Sequence, residues 1–135
     1  MASNQLSDRA RAFISQPRFG VLATINPDGT PQLTTMWYEL QGDQIMMNTK
    51  AGRLKDQNLR RDTRVALCIE DGYQYVSLSG TVEMVDDPEI AQADITRLAH
   101  RYHPPEKAEQ LARNQFSKEQ RITLRMTIAR VSEHW

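Results

Sequence analysis

The side chains best placed to do chemistry lie in one short stretch. The segment 50–64, KAGRLKDQNLRRDTR, carries six basic residues against Asp56 and Asp62. That is a local charge of +4 on a chain whose formal net charge is zero. The stretch follows an apolar run ending in Asn48, Thr49 and Lys50, passes through Gly52, and begins a helix near Arg53. A helix start presents free backbone N–H groups and a partial positive charge, so it attracts phosphate. Arg53, Lys55 and the Thr49 hydroxyl add donors at the same point, and Asn58 lies one turn beyond Lys55. Without that placement, the basic residues read equally well as a solvated helix face. A compact cationic cluster on a neutral chain favours a small anion over a polyanion, and no nucleic-acid reading motif accompanies it.

A second candidate wall is the run PQLTTMWY at 31–38. Strand alternation puts Gln32, Thr34, Met36 and Tyr38 on one face and Leu33, Thr35 and Trp37 on the other. Hydroxyl and amide groups on such a strand can hydrogen-bond a flat heteroaromatic ring, and Trp37 or Tyr38 can stack on one. The plainer reading makes both aromatics core or subunit interface. The other titratable groups favour ordinary roles. His100 and His103 stand three apart without a third ligand beyond Asp94, so no metal site is expected. Cys68, the single cysteine, reads as a small core hydrophobe. Asp86–Asp87 and Glu70–Asp71 fit a helix cap and a turn. Nucleophile, zincin, Walker and dinucleotide-binding motifs are all absent from the sequence. A reaction on this chain therefore needs a borrowed cofactor.

These residues must be held by one domain spanning 1–135, since 135 residues leave no room for a second full core. Hydrophobic residues make up 39% and charged residues 25%, a globular composition. One cysteine excludes an internal disulfide framework, no apolar run is long enough to span a bilayer, and the cytoplasm is the expected address. Ser7 and Asp87 read as helix N-caps, and Asn26-Pro27-Asp28-Gly29 as a tight turn. The strand-like runs 18–25, 32–40 and 44–49 read as a three-stranded antiparallel meander. A short helix over 53–60, strands at 64–70 and 73–85, and a last alternating strand at 122–131 follow. Gly80 marks a bulge in the long fifth strand. A stripe of Ile90, Ala93, Ile95, Leu98 and Ala99 predicts a helix before Pro104, and 107–113 predicts another. The whole is mainly β: six antiparallel strands in a closed or nearly closed barrel, flanked by short helices.

The runs FGVLATINPDGTPQLTTMWYEL, NTKAGRLKDQNLRRDTRVAL and SLSGTVEMVDDPE, taken in order, resemble the pyridoxamine-phosphate-oxidase-like split-barrel superfamily. Within it the likeness is to flavin/deazaflavin oxidoreductases of group B, which use coenzyme F-420. The resemblance covers Phe19 to Val131. It implies a six-stranded split barrel, a homodimer, and a cofactor groove between the subunits. By resemblance, the cofactor's phosphate falls on Arg53, Leu54 and Lys55 with Asn58 beside them. Its ring and ribityl chain fall on Gln32, Thr34, Thr35 and Trp37, with Thr49 and Lys50 at the neighbouring strand end. The implied activity is hydride transfer from reduced F-420 to an electron-poor double bond in an enone, quinone or tetrapyrrole. FMN is the alternative cofactor, and a non-catalytic F-420 or haem carrier the alternative role. The substrate signature of true pyridoxamine-phosphate oxidases is not evident, which argues against vitamin B6, and HRYHPPEKAEQLARNQ at 100–115 is individual to this chain.

Overall fold

The computed structural model describes residues 5–135. Ser7 caps α1 (Asp8–Ile14) by accepting the Ala10 N–H at 3.0 Å, and the helix buries Ala10, Phe13 and Ile14. The sheet begins with β1 (Gly20–Ile25) and β2 (Pro31–Met36). The predicted turn joins them: the Gly29 N–H reaches Asn26 O at 2.9 Å, and Gly29 takes φ +87°, a value that favours glycine. Next come β3 (Glu39–Gln41), β4 (Gln44–Lys50), α2 (Leu54–Arg61), β5 (Arg64–Asp71) and β6 (Gln74–Val85). The chain closes with α3 (Pro88–Tyr102), α4 (Pro105–Asn114), a 3-10 turn (Phe116–Lys118) and β7 (Arg121–His134).

All seven strands form one antiparallel sheet in the order β2-β1-β5-β6-β7-β4-β3. Its two outermost strands are consecutive in the chain, separated only by Trp37 and Tyr38. A link that short spans about 11 Å at full extension. The opposite edges are therefore drawn together, and the sheet curls into a barrel split along one seam. This corrects two expectations. The predicted second strand breaks at Trp37, so seven strands form instead of six. The meander is split at the same point: its two hairpins form, β1 with β2 and β3 with β4, but β4 lies against β7 instead of β2.

The reason lies in β4 itself, which is buried on both faces from Ile45 to Thr49. Ile45 and Met47 face the barrel interior with Leu22, Leu67, Leu78 and Leu124. Met46 faces outward, into a second core with Ile95, Leu98, Ala108 and Phe116 of the α3–α4 arm. A strand needing cover on both sides cannot sit at an open edge. The buried stripe of α3 is Ala91, Ile95, Leu98 and Ala99, so Ile90 and Ala93 of the expected stripe point to solvent. Gly80 sits at the predicted bulge, opposite a register shift in β7. Cys68 is a further correction: it is half-buried on the outer face of β5, across from Val21, and burial raises its thiol pKa. The carboxylate pairs do structural work as expected. Asp87 caps α3, Asp86 chelates Arg60, and Glu70 accepts the Gly72 N–H in the turn. Among the described residues, no helix is long and apolar enough to cross a membrane.

Candidate functional site

Two features converge on one side of the barrel: the end of β4 leading into α2, and the arm made by α3 and α4. Gly52 takes φ +90° and lets the chain turn sharply out of the sheet. Arg53 then occupies the N-cap of α2 with no side-chain cap hydrogen bond. The first helical bond joins Gln57 N–H to Arg53 O, so the N–H groups of Leu54, Lys55 and Asp56 precede it. Asp56 reaches back to the Gly52 N–H at 2.7 Å and pins the turn.

Between this turn and the arm lies a cavity of about 390 Å³. Thr35, Trp37, Thr49, Lys50, Arg53 and Lys55 of the sequence-predicted set all line it. Its far wall comes from Leu98, His103, Lys107, Leu111 and Phe116. Trp37 is a fixed wall: it stacks on Tyr102 at 5.3 Å, and Tyr102 stacks on Phe19 at 5.5 Å. The Tyr102 hydroxyl is locked by Arg18 O at 2.5 Å and by the Tyr38 N–H at 3.1 Å.

The electrostatics are one-sided. Lys50, Arg53, Lys55, Lys107 and Arg121 line the cavity, and no carboxylate does. Glu119 nearby pairs with Lys50 at 3.7 Å and Arg121 at 2.9 Å. Lys55 is only 6% exposed, yet its ammonium has no hydrogen bond or ion pair among the described residues. Desolvation, with repulsion from Arg53 and Arg121, pushes its ammonium pKa below the ordinary value. The Thr49 hydroxyl is likewise buried with no partner. A buried donor left unpaired costs free energy, so both groups call for an acceptor that the chain does not supply. The donor set suits an oxyanion, and the apolar walls beside it suit a flat ring.

The remaining predicted residues lie outside the cavity wall. Thr34 points into the barrel, and its buried hydroxyl also lacks a partner. Leu54 is exposed on the first turn of α2. Gln32 accepts from Thr24 at 2.9 Å. Asn58 donates both amide hydrogens within the chain, to Thr24 Oγ1 at 3.1 Å and Asn26 Oδ1 at 3.0 Å. Arg61 closes this network onto Asn58 and the Ile25 carbonyl. It ties α2 to the β1–β2 hairpin and so fixes where the cationic turn points.

Sequence reasoning missed Asn48, Arg121 and the arm residues. Two signals were available: a polar Asn inside the apolar run QIMMNT, and an Arg opening the alternating strand that follows at 122–131. His103 lines the cavity with its ring edge-on to Trp37 at 5.4 Å, whereas His100 is exposed.

Known proteins share this architecture. An F-420H2-dependent biliverdin reductase of Mycobacterium tuberculosis (strain CDC 1551 / Oshkosh) is 27% identical over 105 residues, covering 76% of this chain and 77% of that protein. A solved structure named F-420 reductase superposes with a TM-score of 0.73 at 27% identity, over 90% of this chain and 94% of that one. A conserved hypothetical protein of Mycobacterium tuberculosis superposes with a TM-score of 0.80 at 35% identity, over 96% and 84%. The family model described as pyridoxamine 5'-phosphate oxidase matches residues 6–135. With the match taking in every helix and strand from α1 to β7, this chain belongs to the pyridoxamine 5'-phosphate oxidase family.

Proposed function

We propose that this protein is a reductase that uses coenzyme F-420 and passes a hydride to an electron-poor unsaturated small molecule, of enone, quinone or tetrapyrrole type. The observation that carries the reading is the pair of buried, unpartnered donors, Lys55 and Thr49, in a cavity lined by cations and a fixed indole. The relatives named F-420H2-dependent biliverdin reductase and F-420 reductase, which this chain matches over three quarters or more of their length, support the cofactor. When bound, the reduced cofactor supplies the hydride from the ring carbon that stands where a flavin has its central nitrogen.

The chain's own part is to bind, orient and exclude water. Arg53 and Lys55 supply charge for the phosphate, with Lys50 beside them, and Thr49 supplies a neutral donor. Met36 and Trp37 offer a flat apolar wall, with Thr35 at its rim. Gln32 and Asn58 enter as residues that set the α2 turn against the hairpin, Leu54 as an exposed side chain on the first turn of α2, and Thr34 as a spare hydroxyl on the same strand as Gln32. The arm lines the other side with Leu98, Leu111 and Phe116, an apolar wall that lowers the local dielectric beside the ring. The proposed homodimer would complete the groove along the exposed outer face of β1 and β2, which runs into the cavity at Thr35.

Titration of the purified protein with F-420 and with FMN, followed by fluorescence, tests the cofactor. Oxidation of F-420H2 with a panel of enones, quinones and tetrapyrroles then tests the acceptor. Tight binding without oxidation of any acceptor would leave a carrier, and binding of FMN alone would replace the cofactor. Lys55→Ala or Arg53→Ala is expected to weaken F-420 binding at least tenfold, about 1.4 kcal/mol. Unchanged curves for both would remove the phosphate from α2.

A further inference from the structure

We propose that Arg121 is the third cation of the oxyanion site, aimed into the cavity by Asn48 and Glu119. The inference deepens the cofactor reading above and rests on it for the source of the anion.

Arg121 opens β7 and stands opposite Lys50 in the β4–β7 register. Like charges facing each other across an antiparallel pair destabilise it unless something negative intervenes. Glu119 touches both and can neutralise one. Arg121 is nevertheless only 9% exposed. Its Nε donates to Asn48 Oδ1 at 3.0 Å, and one terminal nitrogen donates to Glu119 at 2.9 Å. A guanidinium carries five N–H donors. The rest find no acceptor among the described residues, and the group lines the cavity.

The aim of that fork is set from a distance. Asn48 is not free to rotate, because its Nδ2 donates to Ala91 O at 2.9 Å and Thr123 Oγ1 at 3.4 Å. Thr123 donates to Asp94 Oδ2 at 2.7 Å. Ala91 and Asp94 both belong to α3, so Asn48 ties the guanidinium to the arm. Arg121, Arg53 and Lys55 also feel one another: Arg53 and Arg121 help hold down the Lys55 ammonium, and Arg53 adds to the desolvation that lowers the Arg121 pKa. Four cations, Lys50 among them, with only Glu119 paired to any among the described residues, are best resolved by a compact oxyanion that takes a two-pronged bond from the guanidinium and a point charge from the lysine. A phosphate on the cofactor and a carboxylate on the acceptor share that chemistry.

The test follows the Arg121 Nε–H resonance of the unsubstituted, ¹⁵N-labelled protein during titration. Inorganic phosphate, F-420 and benzoate are the probes, with sodium chloride as the ionic-strength control. A saturable shift with phosphate and F-420, and none with chloride, is expected. A shift with benzoate but not phosphate also supports the fork and assigns it to the acceptor's acid group. Arg121→Lys, which keeps the charge and loses the fork, should weaken phosphate binding about tenfold with melting temperature unchanged within a few degrees. Asn48→Ala, which keeps every charge, should weaken it several-fold and broaden the Nε–H signal. The proposal is overturned if F-420 binds while Arg121 stays silent and Arg121→Lys binds like the unsubstituted chain. Phosphate binding at Arg121 with no F-420 binding keeps the site and overturns the cofactor reading instead.

Discussion

Lys55 holds a charge where the folded chain offers it no counter-charge. Its ammonium is disfavoured by burial and then by Arg53 and Arg121. The folded state thus binds this proton less readily than the unfolded state does. Stability of the ligand-free protein should rise with pH as the lysine deprotonates, up to the ordinary value of 10.5. Lys55→Met should raise the ligand-free melting temperature by about 4 °C, roughly 1 kcal/mol, and remove most of the gain seen on adding phosphate. A lower melting temperature would mean that the ammonium has a partner inside the fold. Thr49 makes the same trade without charge. Thr49→Val deletes an unpaired buried hydroxyl, so stability should hold or improve while F-420 affinity falls about fivefold, about 1 kcal/mol. Melting curves and fluorescence titration on the same samples check both halves.

The elements position these residues through a few local devices. At Gly80 an added Cβ would lie 1.9 Å from the Thr127 carbonyl oxygen and 3.0 Å from its carbon. The obstacle is backbone, so no rotamer change relieves it. Gly80→Ala should cost about 3 kcal/mol or leave the protein insoluble, read as a fall in the thermal or urea midpoint. The bulge lies in the β6–β7 pair, and β7 carries Arg121 at its foot, so the strain would reach the site by way of the register. At α3, Asp87 accepts the Glu89 and Ile90 N–H groups at 2.9 and 3.3 Å. Asp87→Ala should cost about 1 kcal/mol. Because Ala91 and Asp94 of α3 hold Asn48 and Thr123, that loosening should also lower anion affinity, which titration with phosphate would show.

At the scale of the molecule, closure depends on the two-residue link between the sheet's end strands. Tyr38 is its anchor. It is fully buried, its hydroxyl donates to Gln16 O at 3.1 Å, and Arg101 grips its carbonyl at 2.9 Å. Burial, with Tyr102 adding to it, pushes the Tyr38 phenol up to about 12. An unfolded tyrosine ionises near 10, so between those values only the unfolded state loses the proton. Stability should therefore fall from pH 10 to pH 12, and Tyr38→Phe should flatten that fall in a series of alkaline melts. The same barrel leaves Leu33 63% exposed, with Val21 and Phe19 also uncovered. Val21 pairs with Thr35, and Leu33 with Ala23, which puts all four on one outer face continuous with the cavity mouth. The proposed homodimer would cover this face. Leu33→Arg should convert a dimer to a monomer by light scattering and weaken F-420 binding with it, whereas an unchanged mass would place the interface elsewhere.

Sequence alone determined what neighbours in the chain decide. The Ser7 and Asp87 caps, the Asn26–Gly29 turn, the Gly80 bulge and the cationic start of α2 each depend on side chains a few residues apart meeting their own backbone. Strand order was settled only in three dimensions. Backbone ladders pair any two strands alike, so nothing local tells β4 to leave β2 for β7. That choice came from burial on both faces of β4 and from a link too short to let the sheet lie open. The site divides the same way. Arg53 and Lys55 are two residues apart and legible together, while Asn48 and Arg121 are 73 apart and meet only because β4 and β7 are adjacent. Their charges and hydrogen bonds acquire meaning once the barrel has closed and α3 has settled onto it.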